Sequence, residues 1–151
     1  MDNFPLNIMQ HLQPLVESGK LQVPPPIFKD MEGEFVDFDL ENKTITIRFP
    51  IKERYQNPVG YMQGGMIATA IDNTMGPLSY AIAAPSVTKK LEIEYFRPVP
   101  SSMSHITITA FVESQEERVL TLIAEVKRGD GTVLARGTAT NIIMKQRAQT
   151  K

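Results

Sequence analysis

The stretch that decides the fold is residues 57–80, "NPVGYMQGGMIATAIDNTMGPLSY", in which two glycines lead into an apolar run that carries one acid. Gly64 and Gly65 indicate a tight turn into a helix, because glycine adopts conformations closed to other residues. The small and apolar residues 66–71 predict a helix that is buried on most sides. An ionised carboxylate without partners is costly in such a helix, so Asp72 either reaches a cavity or is hydrogen-bonded for structural reasons.

Segments of period two flank this helix. Val36, Phe38 and Leu40 alternate with acids, and a second alternating run follows the turn "ENK", which predicts a hairpin with those three apolar side chains on one face. Four more strands are predicted after the helix, at "TKKLEIEYFRPV", "HITITAFVES", "VLTLIAEVKR" and "TVLARGTATNIIM". Strands, one long helix and then an antiparallel run of strands indicate an α+β fold with the sheet packed over that helix.

The chain divides into three predicted parts. Residues 1–33 form an N-terminal helix and a proline-rich strap packed on the domain, and "VPPPIF" within the strap is expected to be extended because each proline restricts its own backbone and the preceding residue. Residues 34–145 form one compact domain, and residues 146–151 a C-terminal tail.

Composition excludes several classes of function. With 42% hydrophobic and 22% charged residues in 151, and no apolar run long enough to span a bilayer, the chain is expected to be cytoplasmic and to have no membrane partner. It has no cysteine and only two histidines, so we expect no disulfide and no metal. A net charge of -1 argues against a nucleic-acid partner.

Spacing within the helix limits any chemistry. Gly64 offers the unpaired N–H groups and the partial positive charge of a helix start, which stabilise an oxyanion. Asp72 lies about 12 Å further along the helix, whereas a reacting carbonyl must lie about 3 Å from both groups. Two antiparallel copies of the helix across a two-fold axis would bring Asp72 of one subunit beside Gly64 of the other. If these residues are catalytic, the monomer is expected to be inactive.

A family resemblance rests on this helix and the strand after it. The chain resembles the hotdog-fold acyl-CoA thioesterases of the PaaI-like (phenylacetate-degradation) group over residues 35–144. The resemblance implies a curved antiparallel β-sheet wrapped around one long central helix, here with an extra N-terminal helix, and a homodimer or homotetramer built by edge-to-edge pairing of sheets. The matching positions are the segment "VTKKLEIEYFRPV" and the residues Asn57, Gly60, Gln63, Gly64, Gly65, Ala68 and Asp72.

The resemblance also implies roles. Asp72 matches the acid that acts as nucleophile or general base on the thioester, and Gly64 the glycine whose N–H polarises its carbonyl. Asn57 matches an asparagine that positions the carboxylate or the water, and Thr88 a hydroxyl residue that orients the water. Many members read His-Gly-Gly where this chain has Gln63, which donates a hydrogen bond but does not titrate near neutral pH.

The expected substrate is an acyl- or aryl-CoA thioester, with coenzyme A part of the substrate and no separate cofactor. Flexible side chains suit an acyl pocket that tolerates several shapes. The residues expected to bind substrate are Gly65, Met62, Met66 and Met75.

Two alternatives stay open at this point. One is a hotdog protein that binds acyl-CoA without hydrolysing it, which the departure at Gln63 favours. The other is a dehydratase or hydratase, which usually needs a histidine paired with an acid; His11 and His105 lie in the wrong segments for that.

Overall fold

One long helix lies against a six-stranded antiparallel sheet in the computed structural model, which describes residues 4–83 and 85–145. The predicted tail, residues 146–151, lies outside the described residues. The strand order is β1-β2-β4-β5-β6-β3, so β1 and β3 are the edges. The elements are α1 (Leu6–Glu17), α2 (Pro26–Asp30), β1 (Glu34–Asp39), β2 (Thr44–Pro50), a 3₁₀ turn (Glu53–Tyr55), α3 (Gly64–Ala83), β3 (Ser86–Tyr95), β4 (His105–Glu116), β5 (Val119–Lys127) and β6 (Val133–Ile143).

The core forms between α3 and the inner face of the sheet. Alternate residues of β2 and β4 are fully buried there, and α3 contributes Ile71, Met75 and Leu78 to the same cluster. Each such aliphatic side chain contributes roughly 1.5–3 kcal/mol on burial. The predicted α+β arrangement, with the sheet packed over one long helix, is confirmed. None of the helices in the described part of the chain is both long and apolar enough to cross a membrane.

The apolar alternation predicted for the first strand matches the core at Phe38 but not at Val36 and Leu40. Val36 is 53% exposed and Leu40 38% exposed, whereas Phe35 and Phe38 pack against the core. The pairing of β1 with β2 shifts register between Phe35 and Asp37. A bulge of this kind inserts one residue, so the alternation changes face partway along the strand.

The proline-rich strap is not extended throughout, which corrects the prediction for "VPPPIF". Pro26 opens α2, because the first turn of a helix does not need the N–H that proline lacks. Phe28 in α2 stacks on Phe35 with 5.3 Å between ring centroids, and Phe4 lies 4.3 Å from the Phe35 ring. These aromatic contacts hold the N-terminal segment on the sheet.

Candidate active site

The start of α3 presents two backbone N–H groups. The carbonyl of Gln63 accepts the N–H groups of Met66 at 2.9 Å and Ile67 at 3.1 Å, so it caps the first turn. Within residues 4–83 and 85–145, the N–H groups of Gly64 and Gly65 have no acceptor. They lie where the helix dipole is positive, and they are available to an anionic oxygen.

Tyr95 at the end of β3 fixes this helix start. Its hydroxyl donates to the carbonyl of Gly64 at 2.7 Å. Burial raises the pKa of Tyr95 above its usual value of 10.0, so the phenol keeps its proton at neutral pH and remains a donor. A Cβ built on Gly64 would lie 3.3 Å from the Tyr95 ring, whereas one built on Gly65 meets nothing within 4 Å.

A cavity of about 270 Å³ lies at this end of the helix and is bordered by Asn57, Met62, Gly64 and Tyr95 among others. The side-chain oxygen of Asn57 accepts the N–H groups of Val59 at 3.1 Å and of Tyr61 at 3.0 Å. Asn57 therefore shapes the loop before α3, and within one chain it lies with Gly64 and not with Asp72.

The helix is buried on most sides, as expected, and Asp72 and Gly65 are its exposed residues. Gly65 and Asp72 lie two helical turns apart on one exposed stripe, while Ile67, Ala70 and Ile71 point into the core. The hydroxyl of Thr88 donates to a carboxylate oxygen of Asp72 at 3.3 Å. The acid and the hydroxyl residue singled out in the sequence are thus in contact.

A second cavity, of about 430 Å³, opens beside Asp72. Its walls come from α3, from the start of β3 and from the N-terminal segment, and they are mostly apolar. The bordering residues are Phe4, Leu12, Leu21, Gln22, Val23, Pro25, Ile27, Asp72, Asn73, Gly76, Pro77, Ser79, Tyr80, Ser86, Val87, Thr88 and Asn141.

Two functional candidates in this cavity were missed from the sequence. Ser86 and Asn141 are each 3% exposed, and both border the cavity. The signal that would have found Asn141 is its position in β6, where it continues the buried series of Gly137 and Ala139 at period two. A polar residue at a core-facing strand position needs a partner.

The other predicted site residues lie apart from both cavities. Met75 is 1% exposed and belongs to the core, and Met66 is half-buried and packs on it. The side chain of Gln63 is exposed. None of these three borders the two cavities described above.

The histidines are not placed for chemistry with the acid. His11 is exposed on α1, and Nδ1 of His105 is 2.7 Å from the hydroxyl of Ser104. Across the described ranges, 4–83 and 85–145, no three histidine, aspartate or glutamate side chains gather as metal ligands would.

Comparison with known proteins places this geometry in a family. The model of the thioesterase superfamily matches residues 59–135, just over half of the chain. Human acyl-coenzyme A thioesterase 13 is 31% identical over 93 residues, which cover 60% of this chain and 66% of the human protein.

Solved structures support the same assignment at the level of the fold. A phenylacetic acid degradation-related protein of Ralstonia eutropha JMP134 superposes with a TM-score of 0.74 and 24% identity, covering 86% of this chain and 98% of that one. The E. coli PaaI protein gives 0.76 and 13%, covering 92% and 94%. These likenesses confirm the hotdog fold. The chain therefore belongs to the thioesterase superfamily and is a thioester hydrolase.

Proposed function

We propose that the protein hydrolyses acyl-CoA thioesters to a free acid and CoA, with Asp72 and Thr88 supplied by one subunit and the Gly64 and Gly65 amides by its partner. The observation that carries the proposal is the placement of Asp72, in contact with Thr88, at the mouth of a cavity of about 430 Å³. An exposed acid beside a mostly apolar cavity suits a substrate with a reactive group at the end of an apolar chain.

The reaction needs three contributions. The amides at the helix start stabilise the negative oxygen that forms as the thioester carbonyl is attacked. Asp72 either removes a proton from the attacking water or attacks directly to form an anhydride that water then cleaves, and Thr88 orients the carboxylate and the water. In both routes the carbon–sulfur bond breaks, and the CoA thiolate leaves and takes up a proton. No cofactor is required beyond the CoA of the substrate.

A single chain holds the two halves of this site too far apart, and its free edge strand suggests how they meet. Thr88 near the start of β3 contacts Asp72, while Tyr95 at its end contacts Gly64. If β3 pairs antiparallel with its own copy about its centre, the Thr88 end of each strand lies beside the Tyr95 end of the other. Asp72 of one subunit then faces Gly64 of its partner.

The charges along β3 favour one register of this pairing. A two-fold axis perpendicular to the sheet places one residue opposite its own copy. With Leu91 at that position, Lys90 lies opposite Glu92 of the partner on both sides of the axis. Centring on Lys90, Glu92 or Ile93 instead sets like charges opposite each other, which is destabilising. Lys90 and Glu92 already share one face, since Nζ and Oε1 lie 3.0 Å apart.

A cross-linking experiment tests this register. The chain has no cysteine, so Leu91→Cys introduces the one thiol. Directly opposite residues in an antiparallel pair have Cβ atoms about 4.5–5.5 Å apart, close enough for a disulfide after a small shift. We expect a covalent dimer on mild oxidation, seen by non-reducing electrophoresis. Val36→Cys on the other edge strand is the control and should stay monomeric; equal cross-linking of both variants contradicts the register.

Complementation between subunits tests the shared site itself. Asp72→Asn and Gly65→Val should each be inactive alone, because each breaks both sites of a homodimer. After mixed refolding, half of the dimers carry one of each chain and one intact site, so about a quarter of the wild-type rate of CoA thiol release should return. No recovery would mean that each site is built from one chain.

The binding alternative predicts a different result. A protein that only holds acyl-CoA would release no thiol in either the wild type or Asp72→Asn, while binding a nonhydrolysable analogue equally in both.

We also propose a cytoplasmic location, and neither a nucleic-acid nor a membrane partner. The proposal includes a homotetramer formed by two dimers, which light scattering tests.

A further inference from the structure

Two buried polar atoms on residues that border the cavity beside Asp72 have no hydrogen-bond partner among residues 4–83 and 85–145. They are the hydroxyl oxygen of Ser86 and the side-chain oxygen of Asn141. Both side chains are 3% exposed, and both border the cavity of about 430 Å³. Buried polar atoms are nearly always paired, and the two residues that carry these atoms border one cavity, so a ligand in that cavity is placed to supply the missing partner.

The pairing of β6 with β3 places Ser86 and Asn141 close to the end of the cavity at which Asp72 lies. Asn141 lies directly opposite Thr88 in the pairing of β6 with β3, so the two side chains are on one face and about 5 Å apart. Ser86 precedes Thr88 by two residues on the same strand, which is about 7 Å. Because Thr88 contacts Asp72, an acyl chain whose carbonyl lies beside the acid would reach Ser86 and Asn141 within a few carbon–carbon bonds.

The charge of the cavity restricts which functional group a ligand can place beside Ser86 and Asn141. In the part of the chain that the structure describes, Asp72 is the only charged residue that borders it, and the walls include Leu12, Leu21, Val23 and Tyr80. A carboxylate on the ligand would be repelled by Asp72 and could not pair with the oxygen of Asn141. An alcohol satisfies both orphans, because its oxygen accepts from the Ser86 hydroxyl while its O–H donates to Asn141.

We propose that this cavity binds the acyl group and that Ser86 and Asn141 select acyl chains bearing an uncharged hydroxyl over plain or carboxylate-bearing chains of the same length. The inference rests on the proposed function, since it treats the cavity as the acyl site of that reaction. A site built to hydrogen-bond a hydroxyl discriminates strongly against an analogue that lacks it, because its buried polar groups are then left unpaired.

Three six-carbon thioesters test the selectivity: hexanoyl-CoA, 6-hydroxyhexanoyl-CoA and the CoA thioester of adipic acid. For the wild type we expect kcat/KM to be at least about tenfold higher for the hydroxy chain than for the plain chain, and lowest for adipate. Asn141→Leu and Ser86→Ala should each bring the ratio of hydroxy to plain close to one. Thr74→Val is the control, because Thr74 is buried outside the cavity and bonded to the Ala70 carbonyl at 2.8 Å; its ratio should not change.

Thermal melting distinguishes a ligand-binding role of Asn141 from a purely structural one. An orphaned polar group destabilises the free protein, so Asn141→Leu should melt at the same temperature as the wild type or higher. A structural asparagine with partners would instead lower the melting temperature when replaced. A clear drop in melting temperature for Asn141→Leu, together with an unchanged ratio for Ser86→Ala, overturns the proposal.

Equal kcat/KM for the plain and hydroxy chains in the wild type also overturns it. Failure of the proposed function has a separate signature, because the wild type would then hydrolyse none of the three. Calorimetry with the nonhydrolysable hexyl and 6-hydroxyhexyl thioethers of CoA still decides the selectivity in that case. Tighter binding of the hydroxy thioether, lost in Asn141→Leu, supports the proposal, and equal binding refutes it.

Discussion

The α3 segment from Gly64 to Asp72 offers a ligand different kinds of groups at its two ends. At its start, the groups offered to a ligand are backbone amides of Gly64 and Gly65, and the neighbouring Gly64 carbonyl is held by Tyr95. Two turns later, the groups offered are side chains, Asp72 and Thr88, beside a cavity that also holds unpaired Ser86 and Asn141 atoms. The first region is fixed by the course of the chain, whereas the second depends on residue identity.

This difference predicts how each region responds to substitution. Replacing a side chain at the Asp72 end removes a chemical group outright. Replacing a residue at the helix start leaves the N–H groups in place and acts only by blocking or misplacing them, so its effects should be smaller.

Asp72→Asn is expected to have the largest effect. It removes the proposed base or nucleophile and should lower kcat by about 10²–10⁴-fold. Because Asp72 is exposed, the melting temperature should hardly change. Asp37→Asn, an exposed aspartate on β1, is the control and should keep full activity in a thiol-release assay. Wild-type activity in Asp72→Asn would contradict the expected difference between substitutions at the Asp72 end and at the Gly64 end of the helix segment.

Gly65→Ala should have an intermediate effect. The new methyl group meets nothing in its own subunit, so folding is unaffected, but it narrows the approach of a substrate oxygen to the amides. We expect kcat/KM to fall by about tenfold to a hundredfold, within the range for a weakened oxyanion donor. Gly129→Ala, which also meets nothing, should leave kcat/KM unchanged. Loss of stability in Gly65→Ala would show that the site is crowded within one chain.

Tyr95→Phe should have the smallest effect. Loss of one hydrogen bond to the Gly64 carbonyl costs about 1 kcal/mol, and if that loss appears fully in the transition state, kcat/KM falls about fivefold. The pKa of Tyr95 is raised, so the phenol is protonated below pH 10 and the pH profile of the variant should follow that of the wild type there.

Tyr55→Phe is the matched control for Tyr95→Phe. The Tyr55 hydroxyl also donates to a backbone carbonyl, that of Asp30 at 3.2 Å, which belongs to α2 and not to the helix start. The same substitution there should lower stability to a similar extent without changing kcat/KM. Equal losses of activity in both variants would mean that Tyr95 acts on stability alone.

Much of the fold could be predicted from the sequence because its signals are local and repeated. The last three strands are each nine residues or longer, and their predicted positions agree with the structure to within two residues. The prediction for the first strand was wrong at Val36 and Leu40, because the sequence pattern does not show that a bulge near Phe35 changes the face to which the following side chains point. The proline run failed at Pro26 because a proline ends a helix in its interior but begins one at its first turn.

The site was predictable only where a residue type is unusual for its segment. Asp72 stood out in an apolar run, although its exposure could not be read from composition, since small residues such as Gly65 and Gly76 leave one stripe of the helix open. Ser86 and Asn141 attract no notice as single polar residues in strands. Their importance depends on which neighbours they fail to bond, and only three-dimensional contacts reveal that.

The N-terminal segment has a consequence for how this enzyme can change. It walls the cavity of about 430 Å³ through Leu12, Leu21 and Val23, yet it contributes neither Asp72 nor the helix-start amides. It is anchored by the contact of the Phe28 ring with Phe35 of β1 and by Ile8, Leu12 and Met31, which are buried in the core. Substitutions in this wall can therefore change substrate preference while Asp72 and the helix-start amides stay intact, so homologues that differ in the N-terminal segment should share the chemistry and differ in the acyl groups they accept.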